Sequence, residues 1–284
     1  MTTLASFDLW LVMLLALVFG LLIGSFLNVV IYRLPVMMER AWAEELAASQ
    51  AETEVADTGK PAPEAFNLLT PRSRCRQCGH VVTAIENVPV LSWLFLRGRC
   101  SACGTRIGAR YPMVELVTGL LFAACVWKFG ATWSALAAMT FCAVLVALTG
   151  IDLDTQLLPD QLTLPLLWTG LLVNVGAMFT SLSSAVIGAA AGYLVLWSIY
   201  WIFKLITGRE GMGYGDFKLL AALGGWFGGF ALPYILLVSS VVGAVVGVSM
   251  MIIQNKDRRT AIAFGPYLAA AGLIALFFGN LMRL

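Results

Sequence analysis

Residues 133–154 read WSALAAMTFCAVLVALTGIDLD, and this stretch decides the class of fold. Its apolar part, Trp133–Ile151, carries no charged side chain and is about as long as a helix must be to cross roughly 30 Å of hydrocarbon. Asp152 follows at once. An ionisable carboxylate at a membrane boundary is costly unless it is solvated, paired or catalytic. We therefore expect a transmembrane helix that ends in a functional carboxylate.

Composition extends this expectation to the whole chain. Its 284 residues are 60% hydrophobic and only 12% charged, far outside the range of soluble proteins. An all-α polytopic membrane protein is therefore expected, with about eight transmembrane helices, of which the sixth is short and rich in glycine. The eight stretches are Phe7–Ile31, Pro112–Phe129, Trp133–Ile151, Leu162–Phe179, Ala185–Ile206, Leu219–Phe230, Leu232–Ile253 and Ala261–Met282.

The lysines and arginines indicate the orientation, because short cytoplasmic loops retain basic residues. If the N-terminus lies outside, all eighteen of them except Lys128 and Arg283 fall on the cytoplasmic side. Asp152 and the one large polar segment then lie on that side as well. No basic residue precedes the first apolar stretch and no clear Ala-x-Ala site follows it, so the stretch is expected to remain as a helix rather than to be cleaved.

The polar segment after the first stretch divides into two parts. Residues Arg40–Pro63 are rich in Ala, Glu and Pro, which predicts a solvated helix followed by a linker. The second part contains two Cys-x-x-Cys-Gly sequences, CRQCG and CSACG, with twenty-one residues between Cys78 of the first and Cys100 of the second. Each aims two thiolates at one tetrahedral ion, and its glycine lets the backbone curl around the sulfurs. The spacing predicts a zinc ribbon whose ligands are Cys75, Cys78, Cys100 and Cys103.

A closed four-sulfur site has no open coordination position, so the Zn²⁺ ion would be structural and not hydrolytic. A cytoplasmic location argues against two structural disulfides. A redox Cys-x-x-Cys pair is the remaining alternative, although no βαβ pattern surrounds these cysteines. Cys125 and Cys142 lie within apolar stretches and are expected to be small buried side chains.

The single histidine, His80, excludes several classes of hydrolase. Ser-His-Asp and Cys-His enzymes need an imidazole beside the nucleophile, and a His-Glu-x-x-His metalloprotease needs two. His80 follows a cysteine turn and is expected at the surface rather than as a fifth metal ligand. Acid–base chemistry by carboxylates is what remains for hydrolysis.

Three aspartates follow the stretch 133–151. Asp160 comes after Pro159 and before a predicted helix, so it is expected to cap that helix. Asp152 and Asp154 are two positions apart and would point to different faces of a helix. Asp152 is favoured because it lies deeper, and Asp154 is the alternative.

The second carboxylate of interest is Asp216, at the end of the run Gly211–Asp216. Its glycines leave a bare backbone beside the carboxylate, which would let an extended peptide approach. A helix cap for a helix beginning at Phe217 is one alternative. A phosphate-binding loop is another, but no strand precedes the glycines and no Gly-Lys-Ser/Thr follows them. Secondary candidates for substrate contact are Gly213, Gly215 and Lys218, although Lys218 is more readily explained by contact with lipid headgroups or water.

Asp152 and Asp216 together indicate an intramembrane aspartyl protease, and here the chain matches a known family. Gly213–Asp216 reads Gly-Tyr-Gly-Asp and resembles the Gly-x-Gly-Asp motif of membrane aspartyl proteases. The whole chain resembles bacterial type IV prepilin peptidases. The other matching segments are Gly24–Pro35, the paired cysteine turns, Glu86–Pro89 with Ser92-Trp93, Arg110–Pro112 with Glu115, and Asp152–Pro159.

The resemblance implies cleavage of the leader of type IV prepilins and of type II secretion pseudopilins at the cytoplasmic face of the bacterial inner membrane. It also implies transfer of a methyl group from S-adenosylmethionine to the new N-terminal amine. The methyl donor is suspected where the cytoplasmic domain joins the first two helices. The candidate residues there are Glu86, Asn87, Arg110 and Glu115. The expected partners are these substrates and the lipid bilayer, with no nucleic acid.

The expected domains are a first transmembrane helix (1–34), a cytoplasmic domain (35–111) and a transmembrane peptidase core (112–284). A different class of function is a proton-coupled transporter that relays protons through its aspartates. That alternative explains neither the four cysteines nor the glycines before Asp216. A zinc-binding scaffold without catalysis is the third possibility, and it leaves the positions of both aspartates unexplained.

Overall fold

The structure, a computed structural model, describes residues 2–51, 66–209, 211–254 and 263–279. Within these ranges it is helical, apart from turns, two short 3-10 turns and two isolated β-bridges. The all-helical class is therefore confirmed. The helices are α1 (Thr2–Ala51), α2 (Leu91–Phe95), α3 (Arg110–Phe129), α4 (Trp133–Thr155), α5 (Asp160–Val173), α6 (Leu182–Thr207), α7 (Tyr214–Phe227), α8 (Leu232–Gln254) and α9 (Gly265–Phe278).

Five of the described helical segments are long and apolar enough to cross a membrane, which makes this a multi-pass membrane protein. They are Leu9–Ser49, Arg110–Phe129, Trp133–Thr155, Leu182–Thr207 and Gly229–Met250. Each of the other three predicted stretches also contains a helix, but α5, α7 and α9 have only 14 residues each. At 1.5 Å per residue such a helix is roughly 21 Å long, less than the hydrocarbon thickness. The count of eight transmembrane helices stays a prediction.

Helix α1 is longer than the first predicted stretch, which was expected to end at Ile31. It runs without interruption through Pro35 to Ala51. The residues after Pro35 include Met, Glu, Arg and Ala, which favour the helix strongly enough to continue it. The solvated helix expected after Arg40 is the exposed end of α1. The linker expected up to Pro63 lies outside the described residues.

The chain divides into two compact units, one of Trp10–Ala123 and one of Met1–Leu9 with Ala124–Leu284. In the first unit α1 and α3 approach each other at glycines. A Cβ atom on Gly24 would lie 2.6 Å from the Cα atom of Glu115, and one on Gly20 would lie 2.8 Å from the Cα atom of Gly119. Close helix packing, which small residues permit in membranes, is therefore the role of these glycines.

In the second unit α7 is the central helix, and ten of its fourteen residues are buried. Helices α5, α6 and α9 pack around it. The contact with α6 is close, because a Cβ atom on Gly192 would lie 2.7 Å from the carbonyl oxygen of Leu220, and one on Gly224 would overlap the backbone of Gly188. The contact with α5 includes a hydrogen bond of 2.8 Å from Trp226 Nε1 to the carbonyl oxygen of Leu166.

Candidate active site and metal centre

Asp152 lies in the last turn of α4, and only 4% of its surface is exposed. Asp154, the alternative, is exposed. The Oδ2 atom of Asp152 accepts a hydrogen bond of 2.9 Å from the backbone N–H of Gly265, the first residue of α9. A buried carboxylate must have its oxygens paired, and here a neighbouring helix supplies a donor.

Asp216 lies in the first turn of α7 and is 8% exposed. The helix begins at Tyr214 after Gly213, so the idea that Asp216 caps a helix starting at Phe217 is wrong. The backbone next to Asp216, at Gly215, and the backbone that donates to Asp152, at Gly265, both meet the side chain of Leu158. The structure therefore brings together the two aspartates that the sequence singled out.

Leu158 packs against two backbone segments of the site. One is Gly215, next to Asp216, and the other is Gly265, which donates to Asp152. A Cβ atom on Gly215, next to Asp216, would lie 2.7 Å from the Cβ atom of Leu158. One on Gly265 would lie 3.1 Å from the Cδ2 atom of the same leucine. The side chain of Leu158 thus fills the space beside both glycines. Gly213 remains exposed beside the site.

Asp160 does not have the role that the sequence suggested. It is the first residue of α5, and the capping position before it is Pro159, which makes no side-chain cap. The carboxylate of Asp160 instead accepts two hydrogen bonds from Lys218 Nζ, at 2.6 and 2.7 Å. Lys218 was expected to contact headgroups or water, but α5 packs beside α7 and provides a protein partner. This ion pair links the beginnings of the two helices.

The four cysteines of the predicted zinc ribbon form one cluster. Their sulfur atoms all lie within 4.8 Å of one another, and the sulfurs of Cys75 and Cys103 are 3.8 Å apart. Four Zn–S bonds of about 2.3 Å in a tetrahedron place the sulfurs about 3.8 Å apart. None of the cysteines forms a disulfide. The donor set therefore fits a single tetrahedral metal ion.

The two cysteine turns have the same backbone geometry. The N–H of Cys75 donates to the carbonyl of His80 at 2.8 Å, and the N–H of Cys100 donates to the carbonyl of Thr105 at 2.9 Å. Each turn is followed by a glycine at positive φ, 72° at Gly79 and 69° at Gly104, a conformation that other residues rarely adopt. This is the reason for the glycine in both sequences.

Glu86 connects the two turns. Its carboxylate accepts hydrogen bonds from the N–H and hydroxyl of Thr83 at 2.8 and 2.9 Å and from the hydroxyl of Ser101, and it lies 3.2 Å from His80 Nε2. These donors, with Ser101 the strongest, lower the pKa of Glu86 to about 2. His80 was expected at the surface, but it is half-buried in this network, and it lies outside the group of four cysteines.

Cys125 and Cys142 are fully buried, as predicted, with their sulfurs 3.8 Å apart. They lie in α3 and α4, outside the four-cysteine cluster. Both behave as small apolar side chains.

The unit Trp10–Ala123 contains a cavity of about 880 Å³, within the size range of ligand sites. Three of the four methyl-donor candidates, Glu86, Asn87 and Glu115, line this cavity, whereas Arg110 is not among its described lining residues. Glu115 is buried, and its Oε2 atom accepts a hydrogen bond of 2.7 Å from the N–H of Val90. Val90 has a φ of 60°, which is unusual for a β-branched residue.

The cavity wall combines aromatic rings with both signs of charge. Arg76 stacks on the ring of Tyr32 at 4.2 Å, and the Nε1 atom of Trp93 donates to the carbonyl of Ile107 at 3.1 Å. Arg33 lines the cavity too and is held by the carbonyls of Asn67 and Pro71 at 2.8 and 2.6 Å. Such a wall can hold an aromatic ligand that carries both a cationic and an anionic group.

The beginning of α9 is the part of the site that the sequence did not reveal. The eighth predicted stretch, which contains α9, was expected to begin at Ala261, and nothing singled out Gly265. A Gly-Pro pair at 265–266 is a recognisable helix start. No local pattern, however, places a residue beside an aspartate that lies 113 positions away.

Comparison with known protein families gives a match in each half of the chain. A model described as the bacterial peptidase A24 N-terminal domain matches residues 18–129, and one described as the type IV leader peptidase family matches residues 139–248. No solved structure matches the chain.

Three similar relatives each bear the name prepilin leader peptidase/N-methyltransferase. The protein of Aeromonas hydrophila is 57% identical over 95% of this chain and 92% of its own length. Those of Stutzerimonas stutzeri and Pseudomonas aeruginosa are 55% and 53% identical, over 93% and 92% of this chain and 90% and 88% of their own lengths. The chain therefore belongs to the peptidase A24 family of prepilin leader peptidases/N-methyltransferases.

Proposed function

We propose that this membrane enzyme removes the leader peptide of type IV prepilins and of type II secretion pseudopilins, and then methylates the new N-terminal amine. Prepilin processing follows from membership of the family, and the pseudopilin substrates follow from the resemblance of the sequence motifs. The observation that carries the peptidase assignment is that Asp152 and Asp216 are both buried and that the backbone beside each of them meets the same side chain, Leu158. A proton-coupled transporter would not be expected to match the prepilin peptidase family over both parts of the chain. Family membership therefore argues against the transporter alternative.

Asp152 and Asp216 would act as one catalytic pair. Two buried carboxyl groups that interact cannot easily both be charged, so they share one proton. The ionised member takes a proton from the attacking water, and the protonated member gives its proton to the carbonyl oxygen of the scissile peptide. In this proposal no metal ion takes part in the cleavage. Gly213, Gly215 and Lys218 remain candidates for substrate contact, of which the exposed Gly213 is the most accessible.

The proposed location is the bacterial inner membrane, with the N-terminus in the periplasm and both aspartates at the cytoplasmic face. Asp152 ends α4 and Asp216 begins α7, so their interaction requires these two helix ends to lie on the same side. The bias of the basic residues favours the cytoplasm for that side. We retain eight transmembrane segments and the division 1–34, 35–111 and 112–284 as parts of this proposal.

Cys75, Cys78, Cys100 and Cys103 would hold one structural Zn²⁺ ion. The sulfur spacing supports this assignment, and thiolates are preferred ligands of zinc. The bound ion would lock the two turns together and so stabilise the segment that follows them. A redox Cys-x-x-Cys pair needs only two cysteines. The grouping of four sulfurs around one point therefore favours a metal site over a redox pair.

The cavity of the unit Trp10–Ala123 is our proposed site for S-adenosylmethionine. That molecule supplies the methyl group, and its adenine ring, positive charge and carboxylate match the aromatic rings, acidic groups and arginines of the wall. The incoming amine must lose a proton. Glu115 is the proposed acceptor, because the carboxylate of Glu86 is already occupied by donors from the cysteine turns.

The peptidase assignment is tested with Asp152→Asn and Asp216→Asn in purified protein with a prepilin substrate. Each change should lower the cleavage rate by at least about 100-fold, the usual effect of losing a general acid or base. The double variant should be no worse than either single one, because the two groups act as a unit. Asp154→Asn is the matched control. Cleavage by Asp216→Asn near the unmutated rate would contradict the assignment.

The methyl-donor site is tested with Glu115→Gln. Methylation of an already cleaved pilin should fall by about 100-fold, while cleavage of the prepilin continues. Glu45→Gln makes the same chemical change on the exposed end of α1 and should leave both reactions unaltered. Unchanged methylation in Glu115→Gln would remove this residue from the proposal.

A further inference from the structure

The contact between α9 and Asp152 resembles a helix cap contributed by a distant part of the chain. The first N–H groups of a helix have no partner within it. In α9 the N–H of Gly265 donates to Asp152 Oδ2 at 2.9 Å, and the next residue, Pro266, has no N–H to donate. One amide of α9 is thus satisfied by the carboxylate at the end of α4.

The same position has no room for a side chain. A Cβ atom on Gly265 would lie 2.6 Å from Asp152 Oδ2 and 3.2 Å from its Cγ atom. The second neighbour, Leu158, is 3.1 Å away and packs against Gly215 on its other side. A methyl group at residue 265 could therefore be accommodated only if the Asp152 carboxylate or α9 itself moved.

We propose that Gly265 is a positioning residue for peptide hydrolysis, which fixes the orientation of the Asp152 carboxylate by its N–H donor and by its lack of a side chain. This inference rests on the proposed peptidase function of Asp152. The N–H holds one carboxylate oxygen, so the rotation of the group is set and its second oxygen keeps a constant direction toward the reacting groups. Gly265 itself touches neither water nor substrate in this role.

The test uses Gly265→Ala in the full-length protein. Displacing a catalytic group by about 1 Å can cost about 100-fold in rate, so kcat for prepilin cleavage should fall by about that factor while KM changes less than about twofold. Methylation of a separately supplied, already cleaved pilin should continue. Gly279→Ala, at the other end of α9, meets no other atom of the described residues within 4 Å and should behave like the unmutated protein. Cleavage by Gly265→Ala near the unmutated rate overturns the inference.

A second measurement separates loss of positioning from misfolding. Thermal unfolding is compared for Gly265→Ala, for Asp152→Ala and for the variant with both changes. The alanine at 265 should lower the unfolding temperature clearly when Asp152 is present and much less when its carboxylate has been removed, because the clashing oxygen is then gone.

If Gly265→Ala loses both reactions or changes KM, the unfolding temperatures decide. A larger loss with Asp152 present than with Asp152→Ala supports the inference. Equal losses with and without the Asp152 carboxylate overturn it. If the unmutated protein fails to cleave prepilin, the proposed peptidase function fails instead. The unfolding measurement then still shows whether Gly265 and Asp152 are in contact.

Discussion

Changing Cys103 to Ser should reduce the zinc content of this enzyme from one ion per chain to well below one. Four sulfurs within 4.8 Å of one another, with one pair at 3.8 Å, match the edges of a tetrahedron built from Zn–S bonds of about 2.3 Å. Binding of structural zinc is worth about 10–16 kcal/mol, so one ligand of four contributes roughly 3 kcal/mol. That corresponds to a loss of affinity of about 100-fold.

The assay is metal analysis of protein purified in detergent, followed by competition with a chelator of known zinc affinity. X-ray absorption on the unmutated protein should show four sulfur neighbours at about 2.3 Å. Cys125→Ala is the matched control, because it removes a buried cysteine outside the cluster and should leave one zinc per chain. A stoichiometry well below one in the unmutated protein, with all four cluster cysteines freely alkylated, would refute the zinc site.

Three further predictions concern other parts of the molecule. A cysteine introduced at Ala56, which lies outside the described residues, should be labelled only from the cytoplasm, and one at Gly130 only from the periplasm; the reverse pattern would contradict the orientation. Asp160→Asn should keep cleavage within about threefold and lower the free energy of unfolding by no more than about 1 kcal/mol, because its ion pair with Lys218 is partly exposed. The pKa of Glu86 is lowered to about 2, so its carboxylate stabilises the fold at neutral pH, and this contribution is lost as the pH falls from about 4.5 towards 2. The difference in unfolding temperature between Glu86→Gln and the unmutated protein should therefore shrink as the pH falls from about 4.5 towards 2, and a difference that stays constant over this range would contradict the role given to Glu86.

The sequence predicted best where the relevant pattern is local. The four cysteines were identified by spacing alone, because two short turns with glycine after each already define the shape of the ligand set. Long apolar stretches located all the major helices for a similar reason. The first stretch was expected to end at Ile31 and a separate helix to follow after Arg40, whereas one helix continues through Pro35 to Ala51.

The parts that the sequence missed depend on packing between distant segments. The cap assigned to Asp160 failed because Lys218 on α7 competes for the same carboxylate, and only the packing of α5 beside α7 shows this. The contact between Gly265 and Asp152 joins residues 113 positions apart. A single sequence contains the two residues but not their proximity.

The glycine contacts between α6 and α7 restrict how a substrate can enter. Where backbones touch at Gly188, Gly192 and Gly224, no side chain lies between the helices that could change rotamer and let them slide. We expect α6 and α7 to move as a single rigid body during turnover. Any opening that admits the prepilin helix to Asp216 must then form at a different helix interface, between the α6–α7 pair and the other helices that pack against it. A crosslink between α6 and α7 should therefore be tolerated during catalysis.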